Sequence, residues 1–96
     1  MSASEITNQL QRLLPALRRE YDLESLSVFG SYVRDEQRPD SDLDLLVDLD
    51  ENHSLLDRIA ITQELEEYLG CKVDVLSPRA LHKLIRDEIL HEAVSL

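Results

Sequence analysis

Residues 42–50 read Asp-Leu-Asp-Leu-Leu-Val-Asp-Leu-Asp. Side chains of a β-strand point alternately to its two faces. Leu43, Leu45, Val47 and Leu49 therefore share one face, and Asp42, Asp44, Leu46, Asp48 and Asp50 share the other. The first face must meet a core. The second carries acids, which strands disfavour. A domain built on this strand needs a partner layer for the leucines and a reason for the carboxylates.

The rest of the chain supplies the layer. Ser2 with Glu5 forms a capping box, and Ile6, Leu10, Leu13, Leu14, Leu17 and Tyr21 follow at helical spacing. This predicts a helix to about residue 22, kinked or restarted at Pro15. Leu26 to Phe29 reads as a short strand ending at Gly30, and Leu43 to Asp48 as the next. Ser54 and Asp57 open another helix, with Leu55, Leu56, Ile59, Ile61, Leu65, Tyr68 and Leu69 apolar and Gly70 at its end. Lys72 to Leu76 is a third strand. Ser77 and Pro78 read as N-cap and first residue of a last helical region, through Leu81, Leu84, Ile85, Ile89, Ala93 and Val94. The order α-β-β-α-β-α predicts an α/β (α+β) fold, a small mixed sheet with helices packed on it. At 96 residues, residues 1–96 read as a single domain.

Twenty acidic against ten basic residues give a net charge of -10. No cluster of Lys and Arg could neutralise a phosphate backbone, which argues against direct nucleic-acid binding. The acidity suits a cation or a basic protein partner. Cys71 is the single cysteine, so no internal disulfide forms. No stretch approaches the ~20 apolar residues of a membrane span, and no signal-like run opens the chain, so the expected location is cytoplasmic, with no membrane partner.

Asp42 and Asp44 stand side by side on one strand face. Two such carboxylates repel unless a cation lies between them. Mg²⁺ suits the pair, since it takes one or two carboxylates together with phosphate oxygens and water. Taken alone, the pair also fits a merely solvated face. Asp40, Asp42, Asp44, Asp48 and Glu51 match five liganding positions of a calcium loop, but Leu45 stands where that loop needs Gly, and no helix leads into Asp40. Upstream, Gly30-Ser31 follows the first strand directly. Gly lets a ligand approach the backbone closely. Ser31 would cap a turn through Tyr32, Val33 and Arg34 whose free N–H groups bind phosphate, with Arg34 reaching the same anion.

Gly30-Ser31, ten residues, then Asp42-Leu43-Asp44 entering an apolar strand resembles the signature of the DNA polymerase β-like nucleotidyltransferase superfamily. "GSYVR" and "SDLDLLVD" in so short a chain look like its minimal nucleotidyltransferase branch, antitoxins that act beside HEPN-domain toxins. The resemblance runs from Leu26 through "RDEILHEAV" and implies the nucleotidyltransferase (polymerase β-like) fold. It implies a third carboxylate on a later strand, and Asp74 in "KVDVL" matches it, with Val73 and Val75 facing the other way.

The resemblance further implies that Asp42 and Asp44 hold two Mg²⁺ ions, and that Asp74 binds the second ion and helps accept the nucleophile's proton. Gly30, Ser31 and Arg34 would hold the β- and γ-phosphates. The implied donor is ATP, and the implied acceptor is a tyrosine hydroxyl on a partner HEPN toxin, silenced by AMP in the manner of a type VII antitoxin, within a homo- or hetero-oligomer. The alternative is a non-catalytic module that neutralises its partner by occlusion. Tyr32 and Asp35 stand where many relatives carry a basic and a small residue. His53, His82 and His91 are too scattered for a metal cluster and read as surface residues; Cys71 and Tyr32 read as packing residues.

Overall fold

The computed structural model describes residues 2–49, 53 and 55–96. Helix α1 spans Ala3–Tyr21, strand β1 Leu23–Phe29, strand β2 Leu43–Leu49, helix α2 Leu55–Leu69, strand β3 Val73–Leu76, helix α3 Lys83–Glu92 and strand β4 Val94–Ser95. Single 3-10 turns occupy Gly30–Tyr32 and Pro78–Ala80. Of the acids on the expected second face, Asp50 lies outside the described residues, as do Glu51 and the expected helix cap Ser54.

The ends of the elements follow from local chemistry. The Glu5 N–H donates to Ser2 Oγ at 3.2 Å, and the Ser2 hydroxyl donates to the Glu5 carboxylate at 3.2 Å. The box is present, with the hydroxyl taking the carboxylate. Asp22, at φ 51°, closes α1 in the left-handed conformation. Pro15 sits inside α1 without dividing it, so the expected restart is absent. Gly70, at φ +70°, ends α2 and returns its N–H to Glu66 O.

The sheet has the order β3-β2-β1-β4. β1 and β2 are antiparallel, β1 and β4 antiparallel, and β2 and β3 parallel. A parallel pair needs a crossover, and α2 supplies it. One face of the sheet packs against α1 and α2. Leu43 and Leu45 are 0% exposed and Val47 2%, in contact with Ile6, Leu10, Leu14 and Leu17 of α1 and Ile61 and Leu65 of α2. The strand period thus assigns its apolar face correctly.

Three expectations change. Leu46, on the acid side of β2, is buried, because the Pro78–Ala80 turn lies against β2. Arg79 of that turn reaches Asp48 at 3.3 Å and Glu24 at 3.5 Å. That half of the second face is therefore covered. Leu55, Leu56, Ile59 and Tyr68 of α2, and Leu84 and Ile85 of α3, are exposed rather than core residues, since only one stripe of each helix can meet the sheet. Val94 belongs to β4, paired with Val28, and not to a helix. The pairing is long-range and has no local signal.

Candidate active site

At the end of β1 the chain turns sharply through Gly30, whose φ is +78°. That conformation favours Gly, and a second constraint enforces it. A Cβ at Gly30 would collide with the carboxylate of Asp44, with Asp44 Cγ 3.1 Å from it. The turn is thus pressed onto the acid strand. Its Gly30 carbonyl accepts from both Val33 N (3.1 Å) and Arg34 N (3.2 Å). Gly30, rather than Ser31, opens the 3-10 turn; Phe29 occupies the cap position without a side-chain bond, and the expected Ser31 cap is not formed. The left-handed Gly30 starts the turn one residue early. The Ser31 hydroxyl has no partner among the described residues. Asp35 adopts φ 58°, a conformation that explains why a small residue suits this position.

Register assembles the carboxylates. Asp44 pairs with Phe29 across the antiparallel ladder and with Asp74 across the parallel one. Directly opposed residues share a face, so Asp44 lies between the Gly30 turn and Asp74. Asp42 immediately precedes β2 and is exposed, as is Asp74, while Asp44 is half-buried. The Asp44 pKa is raised, first by burial, then by the negative charge of Asp74 and that of Asp42; Arg34 opposes the shift. Asp44 therefore senses both neighbouring acids.

The donor set fits a hard divalent cation: carboxylate oxygens, a mutual repulsion that positive charge would relieve, and no thiolate or imidazole. Among the described residues, however, no three His, Cys, Asp or Glu side chains converge into a closed cage. An arrangement this open suits an ion whose shell is completed by phosphate oxygens and water.

Arg34 reaches the site but is already engaged. Its Nε donates to Glu36 at 3.1 Å and its Nη1 to Glu92 at 2.6 Å. Both carboxylates favour its charged form, Glu36 first. Two of five guanidinium N–H groups are thus used, and the rest can meet an anion. Glu92 escaped sequence reasoning: it ends α3, far from Arg34 along the chain, and no local spacing links the two.

The remaining candidates fall away from the chemistry. Tyr32 is 5% exposed and part of the core, and burial raises its phenol pKa. Cys71 packs against the core, and burial raises its thiol pKa, which disfavours the nucleophilic thiolate. His82 caps α3 by accepting from Leu84 N at 3.4 Å.

The fold occurs in known proteins. The chain is similar to the protein adenylyltransferase MntA of Thermococcus cleftensis, 38% identical over 94 residues, covering 98% of this chain and 95% of the relative. It superposes on the structure of a candidate minimal nucleotidyltransferase with a TM-score of 0.88 at 38% identity, covering 100% of this chain and 97% of the other. The fold also matches a chain in the complex of a tri-AMPylated Shewanella oneidensis HEPN toxin with its MNT antitoxin, with a TM-score of 0.70 at 19% identity, covering 94% and 70%. The nucleotidyltransferase domain family matches residues 10–96, so that fold and sequence agree and the chain belongs to the nucleotidyltransferase domain family.

Proposed function

We propose that this chain is a Mg²⁺-dependent protein adenylyltransferase that moves AMP from ATP to a tyrosine hydroxyl of a HEPN-domain partner and so acts as its type VII-like antitoxin in the cytoplasm. The observation that carries the reading is the packing of Gly30 against Asp44 with Asp74 in register on its other side. The Gly30 turn and the positions of Asp42, Asp44 and Asp74 lie at one end of β2. The relative's protein adenylyltransferase activity, and the AMPylated HEPN toxin held by the structural neighbour, support the choice of acceptor. Among the described residues no helix is long and apolar enough to cross a membrane.

Each residue has a role in this chemistry. Asp42 and Asp44 would hold one Mg²⁺ ion and, with Asp74, a second; bound there, the ions neutralise triphosphate charge and make a coordinated hydroxyl more acidic. The main chain at Gly30 and Ser31, the Ser31 hydroxyl and the unused donors of Arg34 serve the β- and γ-phosphates. The acceptor oxygen forms a bond to the α-phosphorus while the bond to pyrophosphate breaks. Asp74, exposed on its strand, takes the hydroxyl proton. Positioning and charge neutralisation account for most of such catalysis.

The test uses ATP labelled at the α-phosphate and a HEPN-domain protein as acceptor. Wild type should label a tyrosine. Asp42→Asn with Asp44→Asn should lose Mg²⁺-dependent ATP binding and labelling together. Asp74→Asn should keep most nucleotide affinity and lose transfer. Protection of cells by the Asp42/Asp44 double variant, with no AMP on the partner, would replace catalysis by occlusion.

A further inference from the structure

We infer that the groove along the outer edge of β3 is the docking surface for the acceptor-bearing segment of the protein substrate, which adds to β3 as an extended strand and thereby carries its hydroxyl to Asp74. This inference rests on the adenylyltransferase reading above.

β3 is an edge strand, last in the order β3-β2-β1-β4. The Leu43 N–H donates to the Lys72 carbonyl. That bond sets the phase of the parallel ladder: Asp74 and Leu76 turn their main-chain groups towards β2, and Val73 and Val75 turn theirs outwards. The Val73 N–H is taken by the Glu66 carboxylate at 3.1 Å. The Val75 N–H and carbonyl have no partner outside the sheet among the described residues. An unpaired edge of this kind is a template for another strand.

The edge runs along a groove of about 370 Å³ between α2 and the segment after β3. Ile59 and Thr62 of α2, Asp74 and Val75 of β3, and Leu81 after it are among the lining residues. Ile59 is 45% exposed, and Leu55, one turn earlier on the same helix face, is 61% exposed. The buried stripe of α2 is Ile61, Leu65 and Leu69. Residues 55, 59 and 62 form a different stripe, turned away from the core. Packing within the domain therefore does not account for the apolar residues beside β3, whereas a partner segment does.

The occupant follows from the same features. Main-chain pairing requires a polypeptide in extended form. The apolar wall selects an apolar residue on one side of it, and Asp74 on the other side of the strand requires the acceptor hydroxyl next to that residue. Arg58 is the single cation among the groove's lining residues, and the chain's net charge is -10, so a nucleic-acid strand has no footing there. Continuity with the catalytic carboxylates distinguishes this groove from the exposed leucines of α3.

Two variants test it, with a HEPN-domain protein that the wild type labels as acceptor and Mg·AMP-PNP as nucleotide probe. Ile59→Glu places a charge in the wall at an exposed position. Val75→Pro removes the outward N–H, a change that edge strands tolerate. Both should lower kcat/KM for labelling at least tenfold and weaken acceptor binding, while Mg·AMP-PNP affinity by calorimetry stays within twofold of wild type. Leu84→Glu, equally charged but on α3, should label like wild type. In the wild-type complex the Val75 amide should gain hydrogen-exchange protection. Wild-type labelling by both Ile59→Glu and Val75→Pro overturns the groove and leaves the adenylyltransferase reading standing. Loss of nucleotide affinity along with labelling also overturns it, because the variants then act through the site. Failure of wild type itself to label any HEPN-domain protein overturns the parent reading, and the groove with it.

Discussion

The two faces of β2 obey opposite rules. On one, Leu43, Leu45 and Val47 are sealed between α1 and α2. On the other, Asp44 is half-buried beside Asp74 and Asp42, and its pKa is raised first by burial and then by the charges of those two acids. The packed face lowers the free energy of the fold. The acid face raises it, by holding like charges together in the absence of a counter-ion. One strand thus carries stability and its sacrifice on its two faces.

Substitutions on the two faces should therefore act with opposite sign. Leu45→Ala, on the packed face, should destabilise by about 2–5 kcal/mol, since a fully buried Leu leaves a cavity; urea unfolding measures it. A loss within 0.5 kcal/mol would mean that the core is not where the burial places it. Gly30→Ala crosses from one regime to the other. It should cost about 1–3 kcal/mol through its positive φ and the displaced Asp44 carboxylate. It should also weaken Mg·AMP-PNP binding out of proportion to that loss, a split that parallel melting and calorimetry would resolve. The smallest effect should be the most telling. Asp44→Asn should melt slightly above wild type at pH 7 without Mg²⁺. A carboxyl whose pKa is raised on folding stabilises below its unfolded value of 3.8, and that contribution is lost as pH rises through the folded pKa. The advantage of Asp44→Asn should accordingly shrink as pH falls through that window and reverse when Mg²⁺ and nucleotide are added. A wild type more stable than Asp44→Asn at pH 7 in chelator would show that the acids do not repel as the structure indicates.

Legibility in the sequence followed the range of the forces. The alternation in β2 exposed both of its faces, because a two-residue period is a local property. Ser2 with Glu5, and Ser77 before Pro78, marked helix and turn starts for the same reason. Asp74 was placed on the correct face by its valine neighbours, and its identity as the third acid came through the family resemblance. Long-range pairing was invisible. β4 exists because Val94 meets Val28, and Glu92 matters because it meets Arg34; neither has a spacing rule. The exposure of Ile59 and Leu84 was hidden as well, since an apolar residue at helical spacing looks the same whether a sheet or a partner covers it. Asp48 looked free on its strand, but Arg79 reaches it from a turn that the sequence marks only as a helix start.

Asp44 and Asp74 face each other because the β2–β3 ladder runs in one phase. Helix α2 joins the two strands, but its length does not set their alignment. An insertion in that crossover would be absorbed outside the ladder, leaving the acids opposed. A slip of one residue in the ladder would instead turn Asp74 into the core and Val73 or Val75 outwards. The third carboxylate is therefore digital: present or absent, with no intermediate setting. Divergence along α2 can remodel what the domain touches without detuning what it does, whereas the four residues of β3 admit no such drift.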